Sequence, residues 1–175
     1  KKISPKFQKA LAVRLILKSK PEIKINEENI NLLMGSNTHL VLYPINKKNE
    51  INLTCVFRHN QLNPENIKSL IEKKVINQNL LLKSLFNNEI KYWPLYSSNK
   101  NFIPLNKKVF YIGDAFNGFL PTMAQGASQS IESAYELFNL IKSENLDVSN
   151  IYFKKRLERT KIIRRRSNFN FFAFH

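Results

Sequence analysis

The sequence contains only one cysteine, Cys55, and no apolar run long enough to cross a membrane. A single cysteine excludes an internal disulfide and is typical of a reducing, cytoplasmic compartment. Cys55 lies within an apolar run, which favours a small buried hydrophobic side chain over a reactive thiol. A membrane-spanning helix needs about 18 apolar residues, and the N-terminal residues lack the apolar core of a secretory signal. We therefore predict a cytoplasmic protein without a transmembrane segment.

Acidic residues are also scarce: 13 Asp and Glu stand against 28 Lys and Arg, which gives a net charge of +15. Clustered basic residues can mark a nucleic-acid or membrane partner. Here most lysines are scattered among Asn and Ile, and only Lys154-Lys155-Arg156 and Arg164-Arg165-Arg166 are concentrated. We therefore expect no nucleic-acid partner, and keep a basic nucleic-acid-binding helix over 154–166 as an alternative.

The 175 residues are 43% hydrophobic, which suffices for a folded core. Three apolar runs have the composition of β-strands: 10–17, 39–45 and 51–57. The polar connector 46–50 has the length of a hairpin loop, so the last two runs predict an antiparallel pair. Pro44 indicates an edge strand or a strand end. Asn63-Pro64 predicts the start of a helix, with Asn63 as its cap.

The last third of the chain has a different pattern. Lys108–Ile112 predicts a short buried strand that stops at Gly113. A long helix is predicted to begin near Gln125 or Gly126, and a second one covers about 148–166. We expect the aromatic tail, 169–175, to pack against other parts of the protein. The first helix carries apolar residues at the spacing of one helix face: Ile131, Ala134, Tyr135, Phe138 and Ile141.

A carboxylate at the end of a buried strand points into the crevice where α/β folds bind ligands. Asp114 occupies such a position, and a carboxylate is an acceptor suited to polyol hydroxyls. The following helix begins at Gln125-Gly126-Ala127, where free backbone N–H groups favour a negative group. Gly126 and Ala127 leave room for a flat ligand to approach the backbone. A plainer alternative is that Asp114 only caps a turn.

These residues occur together in one pattern: Gly113-Asp114-Ala115, then Pro121, then Gln125-Gly126-Ala127 and a helix. The pattern resembles the second FAD-binding motif of the group A flavoprotein monooxygenases, the family of para-hydroxybenzoate and salicylate hydroxylases. Residues 109–136 carry the resemblance most strongly. Looser similarity extends to His39–Pro44 with 51–53, to Trp93–Tyr96, to the arginine-rich helix around Arg156, and to His175.

The resemblance implies roles for the matching positions. Gly113 and Asp114 would belong to the cofactor site, with Asp114 accepting hydrogen bonds from the ribityl hydroxyls of FAD. The backbone of Gly126 and Ala127 would face the N1–C2 carbonyl edge of the flavin ring, and Pro121 would lie beside the ring. The resemblance also implies catalytic positions around an aromatic substrate, with His39 as the base for a phenol: His39, Tyr43, Pro121 and Gln125.

Two features depart from the family pattern. Phe116 and Asn117 stand where the family usually has Ala-His, which puts any role of that histidine in doubt. The four glycines, Gly35, Gly113, Gly118 and Gly126, cannot form the Gly-x-Gly-x-x-Gly fingerprint that binds the ADP half of a dinucleotide. These residues therefore lack the N-terminal Rossmann part, and we expect that they cannot hold FAD tightly alone.

We predict an α+β protein: a partial antiparallel substrate-domain sheet over 1–105, then over 106–175 the C-terminal strand and long helices of a FAD-binding domain. The resemblance implies hydroxylation of a small phenolic or salicylate-like substrate with FAD, NADH or NADPH, and O2. A homodimer is a possible assembly. Alternatives on the same fold are a ubiquinone-pathway ring hydroxylase and a geranylgeranyl-reductase-like oxidoreductase.

Overall fold

The computed structural model describes residues 4–17, 26, 28–45, 50–74, 90–106, 108–144 and 146–174. The chain divides into two compact units. The sheet unit consists of Gln8–Leu95 with Phe174–His175, and the helical unit consists of Lys1–Phe7 with Tyr96–Ala173. The division into domains at 105/106 stays a prediction.

Five strands form one sheet in the order β2-β3-β4-β1-β5. The described pairings β1–β4, β2–β3 and β3–β4 are all antiparallel, which confirms the predicted architecture. Of the predicted connector 46–50, residues 46–49 lie outside the described residues, and Glu50 begins β4. Pro44 is one residue from the end of β3, in the interior of the sheet, so the strand-end alternative is correct. The strand bounds are β1 Lys6–Leu17, β2 Asn31–Gly35, β3 Thr38–Ile45, β4 Glu50–Arg58 and β5 Lys91–Ser97.

Alternate residues of the central strands form a continuous apolar face. Leu53 of β4 lies opposite Leu15 of β1 on one side and Leu42 of β3 on the other. In the next row, Cys55 lies between Val13 and Leu40. Because side chains alternate along a strand, these residues share one face, and all are buried. Burial raises the pKa of Cys55 to about 12, so the thiol remains protonated, as a structural cysteine would.

The short helix of the sheet unit, α1 (Ile67–Lys74), begins later than its sequence suggests. The predicted cap Asn63 is wrong, because the side chain of Asn66 accepts the backbone N–H of Ser69 at 3.0 Å. Asn66 offers the same acceptor one residue before the first helical position, so it competes successfully for the cap. Ile71 is the fully buried residue of this helix.

Two long helices, α2 (Gly126–Lys142) and α3 (Val148–Ala173), dominate the helical unit. The predicted start of α2 is confirmed. The second helix continues to Ala173 instead of ending near 166, so most of the aromatic tail is helical. Phe171 is buried, but Phe169 and Phe172 are largely exposed. His175 lies outside the described residues. An aromatic cluster joins the helices to the preceding segment: Phe110, Phe116, Tyr152 and Phe153.

The segment 109–112 is not the buried strand that the sequence predicts. Ile112 has extended backbone angles, but the segment pairs with no strand of the described chain. Phe110 packs into the aromatic cluster, whereas Val109, Tyr111 and Ile112 are exposed by 37–40%. The apolar run predicts the extended conformation, but a strand also needs a partner, which no described residue supplies.

Helix α2 has an unusual distribution of side chains. A stripe of apolar residues at helical spacing usually faces the core. Here the stripe is exposed: 71% of Ile131 and 58% of Phe138 are accessible to solvent, whereas Gln129 and Ser133 are buried. The buried side of α2 is therefore largely polar.

No helix among the described residues is long and apolar enough to cross a membrane.

Candidate functional site

A tight 3₁₀ turn, Gly113–Ala115, begins the candidate site. Gly113 has φ of +54°, and a Cβ at this position would collide with the side chain of Ser130 on α2. Only glycine combines this backbone angle with so close an approach to the helix. The carbonyl of Gly113 accepts the backbone N–H groups of Phe116 and Asn117, both at 3.0 Å. The turn is therefore closed by the backbone and held against α2.

Asp114 lies on the exposed side of this turn. Its carboxylate makes no hydrogen bond or ion pair with the described residues. The plainer alternative, that Asp114 caps the turn, does not describe this geometry, because the carbonyl of Gly113 closes it. Asp114 therefore presents a carboxylate whose acceptor sites are open to a ligand.

The loop that follows Asp114 is fixed to its surroundings by hydrogen bonds at both ends. Ser98 donates its N–H to the carbonyl of Gly118 at 2.9 Å, and the N–H of Gly118 donates to Ser98 Oγ at 2.8 Å. Further along, Ser167 of α3 donates from Oγ to the carbonyl of Leu120, and Thr122 donates from Oγ1 to the carbonyl of Ser167, both at 2.7 Å. Such anchoring is typical of a preorganised binding loop.

A second 3₁₀ turn, Pro121–Met123, leads into the N-terminus of α2. Ala124 has a left-handed backbone, with φ of 51°, which reverses the chain so that Gln125 precedes the first helical turn. No side chain caps α2, and its first turn carries no acidic residue. A Cβ on Gly126 would meet nothing within 4 Å. The first turn of α2 thus offers uncapped N–H groups beside open space, an arrangement that favours an anionic or electron-rich group.

The other predicted site residues, His39 and Tyr43, belong to the sheet unit. They lie four residues apart on β3 and hence on the same face of the sheet, opposite the apolar face. His39 is 3% exposed, and its ring lies 5.3 Å from that of Phe174. Six of the predicted residues lie in the helical unit, in the loop and the first turn of α2: Gly113, Asp114, Pro121, Gln125, Gly126 and Ala127. That His39 and Tyr43 complete this site stays a prediction.

The same sheet face carries polar groups that the sequence does not single out. Asn52 lies opposite Tyr43 in the register of β3 and β4, and its Oδ1 accepts a hydrogen bond from Arg14 Nε at 2.6 Å. The signal in the sequence is Arg14 itself, the one charge in the apolar run 10–17. The exposed Arg14 thus adds a guanidinium, a group that binds carboxylates, to the sheet face that also carries Tyr43 and His39.

A buried polar network behind the loop is the second feature that the sequence does not predict. Arg156 of α3 is 2% exposed and donates to Glu132 Oε1 and Gln129 Oε1 of α2, both at 2.6 Å. Arg159 also donates to Glu132, at 3.0 Å. Burial acts to raise the pKa of Glu132, but hydrogen bonds from Arg156, Arg159 and Gln129 outweigh it and hold the pKa below its usual value. The network fixes α2, and with it the N-terminal turn of the site.

Asn117 is the one buried side chain among the described residues of the loop whose polar atoms lack hydrogen-bond partners. It is fully buried, and neither its Oδ1 nor its Nδ2 has a partner in the described structure. A buried amide without partners is costly. Asn117 is therefore a buried polar side chain of the candidate site whose amide could still form hydrogen bonds. No group of metal-binding side chains occurs in the described part of the chain.

The fold defined by these elements, an antiparallel sheet followed by the Gly-Asp loop and two long helices, is that of the C-terminal part of FAD-dependent hydroxylases. The chain aligns over 99% of its length with HpxO of Klebsiella pneumoniae, solved in complex with FAD and uric acid, at a TM-score of 0.81 and 11% identity. A salicylate hydroxylase substrate complex gives a TM-score of 0.80 at 17% identity over 99% of the chain. CtdE, solved with FAD and a substrate, gives 0.72 at 14% identity over 95%.

The aligned region is 46%, 49% and 47% of those three proteins. The chain therefore spans about half the length of the solved structures that it matches. No family model matches the sequence, and no curated protein matches it significantly. The similarity thus lies in the fold.

Proposed function

We propose that this chain forms the ribityl and ring end of a FAD site, together with the substrate sheet, of a monooxygenase that hydroxylates small aromatic rings. One observation carries the proposal. Asp114 has no partner among the described residues and stands on a glycine-dependent turn, at the start of an anchored loop that ends at the uncapped N-terminus of α2. The resemblance in sequence and the likeness in fold support the same assignment.

The residues of the loop fit the chemistry of FAD. Asp114 would accept hydrogen bonds from ribityl hydroxyls, since a carboxylate without internal partners is a strong acceptor. The N–H groups at Gly126 and Ala127 would stabilise negative charge at the N1–C2 edge of the reduced ring, through the positive end of α2. Gly126 leaves space for a flat ring, and the exposed Pro121 would lie beside it.

When bound, FAD would supply the redox chemistry, by which NADH or NADPH and O2 convert an aromatic C–H to C–OH with release of water. The chain would contribute orientation and proton transfer. His39 would accept the proton of a phenolic hydroxyl, which makes the ring richer in electrons. Tyr43, Gln125 and Pro121 would line the substrate's position. Arg14 beside Asn52 favours a substrate with an acidic group, such as a salicylate-like compound.

The proposal is tested by comparing two substitutions that each remove one negative charge, Asp114→Asn and Asp147→Asn. Asp147 is also exposed and lies in the helical unit, at the start of α3. We expect weak, reversible flavin binding by the 175-residue chain, measured by quenching of flavin fluorescence. Asp114→Asn should weaken it about tenfold or more, the effect of losing a hydrogen bond to a charged group, whereas Asp147→Asn should not.

Equal affinities in the two variants would contradict the role of Asp114. Tight, stoichiometric flavin in the purified chain would contradict the expectation that these residues contact only part of the cofactor.

The competing nucleic-acid interpretation rests on the basic residues of α3. Several of them make internal contacts instead: Lys155 pairs with Glu136 at 2.6 Å, and Arg156 and Arg159 bind Glu132. Arg164 donates to Asn101 at 3.2 Å. These contacts weaken the case for a nucleic-acid surface. A steep dependence of DNA or RNA binding on salt concentration would revive it.

A further inference from the structure

The helical unit contains a cavity of about 470 Å³ between the turn Pro121–Met123 and the C-terminal half of α3. None of the residues that the sequence assigns to the flavin or to the substrate lines it. Cavities of several hundred Å³ are the usual size of sites for small molecules. The described lining combines apolar side chains with guanidinium and amide groups: Met123, Ile162, Arg165, Arg166, Phe169 and Asn170.

The helical spacing of α3 places its lining residues side by side. The five residues of α3 lie at intervals of three, one, three and one positions, so at 100° per residue they share a sector of about 140°. The turn is joined to the same helix by hydrogen bonds. Thr122 donates from Oγ1 to the carbonyl of Ser167 at 2.7 Å, and Asn170 donates from Nδ2 to the carbonyl of Thr122 at 3.4 Å. The two walls of the cavity are therefore held together by the fold.

The positive charge of this cavity is not compensated. Arg165 and Arg166 are exposed and make no hydrogen bond or ion pair with the described residues. No acidic residue is among the described residues of the lining. By contrast, Arg156 and Arg159 of the same helix both bind Glu132. Because guanidinium groups bind carboxylates and phosphates through paired N–H donors, the two free arginines favour an anion.

An apolar surface lies beside these two cations. Met123 is half-buried, and Ile162 and Phe169 are 49% and 67% exposed. A phenylalanine ring can stack on a flat ligand, and a methionine thioether makes favourable contacts with aromatic rings. An inorganic anion would use only the guanidinium groups, and an uncharged ring would use only the apolar side chains. A ring that carries a negative group would use both.

We propose that this cavity binds a small aromatic anion, a flat ring that carries a carboxylate or a phosphate. The ring contacts Met123, Ile162 and Phe169, and the anionic group accepts hydrogen bonds from Arg165 and Arg166. Since Met123 belongs to the turn before α2, an occupied cavity also contacts the loop of the candidate site. The inference depends on the cavity and its charges alone, so it does not require the proposed flavin chemistry.

The two methionines of the protein make this proposal testable at the level of one residue. Met123 lines the cavity, whereas Met34 lies on β2 in the sheet unit. Isotope labelling of the methionine methyl groups therefore gives two NMR signals, which Met34→Leu assigns. The 175-residue chain is titrated with naphthoate, an aromatic carboxylate, and with adenosine monophosphate, an aromatic phosphate. Acetylnaphthalene is the uncharged control, and inorganic phosphate is the control without a ring.

We expect at least one of the two aromatic anions to shift the Met123 signal saturably and to leave the Met34 signal unchanged. The tighter of the two identifies the anionic group. Arg165→Gln and Arg166→Gln should each weaken binding about tenfold, the effect of losing a hydrogen bond between charged groups. Lys161→Gln removes the same charge from an exposed residue of α3 outside the cavity, so it should change the dissociation constant by less than about twofold.

A second pair of variants tests the ring. Phe169→Ser should weaken binding several-fold. Phe172→Ser should not, because Phe172 is also exposed but does not line the cavity. Thermal melting of all the variants checks that they remain folded.

Four results would each overturn the proposal. These are equal shifts of both methionine signals, no saturable shift with either aromatic anion, binding of acetylnaphthalene or inorganic phosphate as tight as that of the aromatic anions, and a loss in Lys161→Gln as large as in the two arginine variants. Failure of the flavin test at Asp114 would contradict the proposed function and leave this site standing, because no flavin is used here.

Discussion

The sheet and helix α2 both carry apolar residues at regular spacing, but those of the sheet are buried and those of α2 are exposed. In β1, β3 and β4, alternation places Val13, Leu42 and Leu53 on one buried face. In α2, residues at equally regular spacing, such as Ile131 and Phe138, lie in water, while Gln129 is buried. A strand pattern is satisfied by neighbouring strands and one covering layer. Helix α2 packs against the described residues through one side only, and that side is largely polar.

The largest effect should come from the sheet's buried face. Leu53 is fully buried between β1 and β3, so Leu53→Ala should reduce the free energy of unfolding by about 4 kcal/mol, through lost transfer energy and the cavity left behind. Ile16→Ala on the exposed side of β1 is the control and should change little. Denaturation by urea measures both. Equal losses of unfolding free energy in the two variants would show that Ile16 is as buried as Leu53.

The next effect concerns the polar side of α2. Arg156→Ala should cost about 3 kcal/mol, because it removes a buried cation and leaves Gln129 and Glu132 without their main partner. Arg159 binds the same carboxylate but is half exposed, so Arg159→Ala should cost only about 0.5 kcal/mol. The free energies of unfolding of the two variants decide this point. If Arg159 proved the more costly loss, the network would not hold α2 as described.

A smaller effect should appear in the dependence of stability on pH. The pKa of Glu132 is depressed in the folded state, so its stabilising contribution is present above its unfolded pKa of about 4.3 and is lost as the pH falls through the folded value. Glu132→Gln should therefore be less stable than the parent chain at neutral pH, with the difference narrowing below about pH 4. Thermal melting across this pH range is the measurement, and a difference that widened in acid would have the wrong sign.

The smallest effect should come from the apolar face of α2. Ile131→Ser should change the free energy of unfolding of the 175-residue chain by no more than about 0.5 kcal/mol, because the side chain is mostly in water. Urea denaturation, run beside the Leu53 variant, provides the comparison. A loss approaching that of Leu53→Ala would mean that Ile131 is buried in the chain itself.

The sequence predicts strands, turns and helix starts better than it predicts burial and contacts between residues that are distant in the chain. The apolar runs 10–17, 39–45 and 51–57 are sufficient to predict three strands, and Gly113 and Gly126 mark the turn and the helix start correctly. The sequence does not identify Asn66 as the cap of α1, because Asn63-Pro64 carries the same helix-start signal three residues earlier. The buried Arg156 could not be distinguished from its charged neighbours, since its partners lie on another helix. The exposure of Val109, Tyr111 and Ile112 could not be predicted, because it depends on whether another segment pairs with them and not on their own sequence.

The central claim is that Asp114 to Ala127 contacts the ribityl and ring end of FAD and no more. The most direct test compares the affinities of FMN and FAD for the 175-residue chain by fluorescence titration. Since the ADP half should find no phosphate-binding fingerprint here, we predict nearly equal affinities, both weakened by Asp114→Asn. FAD binding much tighter than FMN binding, or indifference of both to Asp114→Asn, would contradict the account.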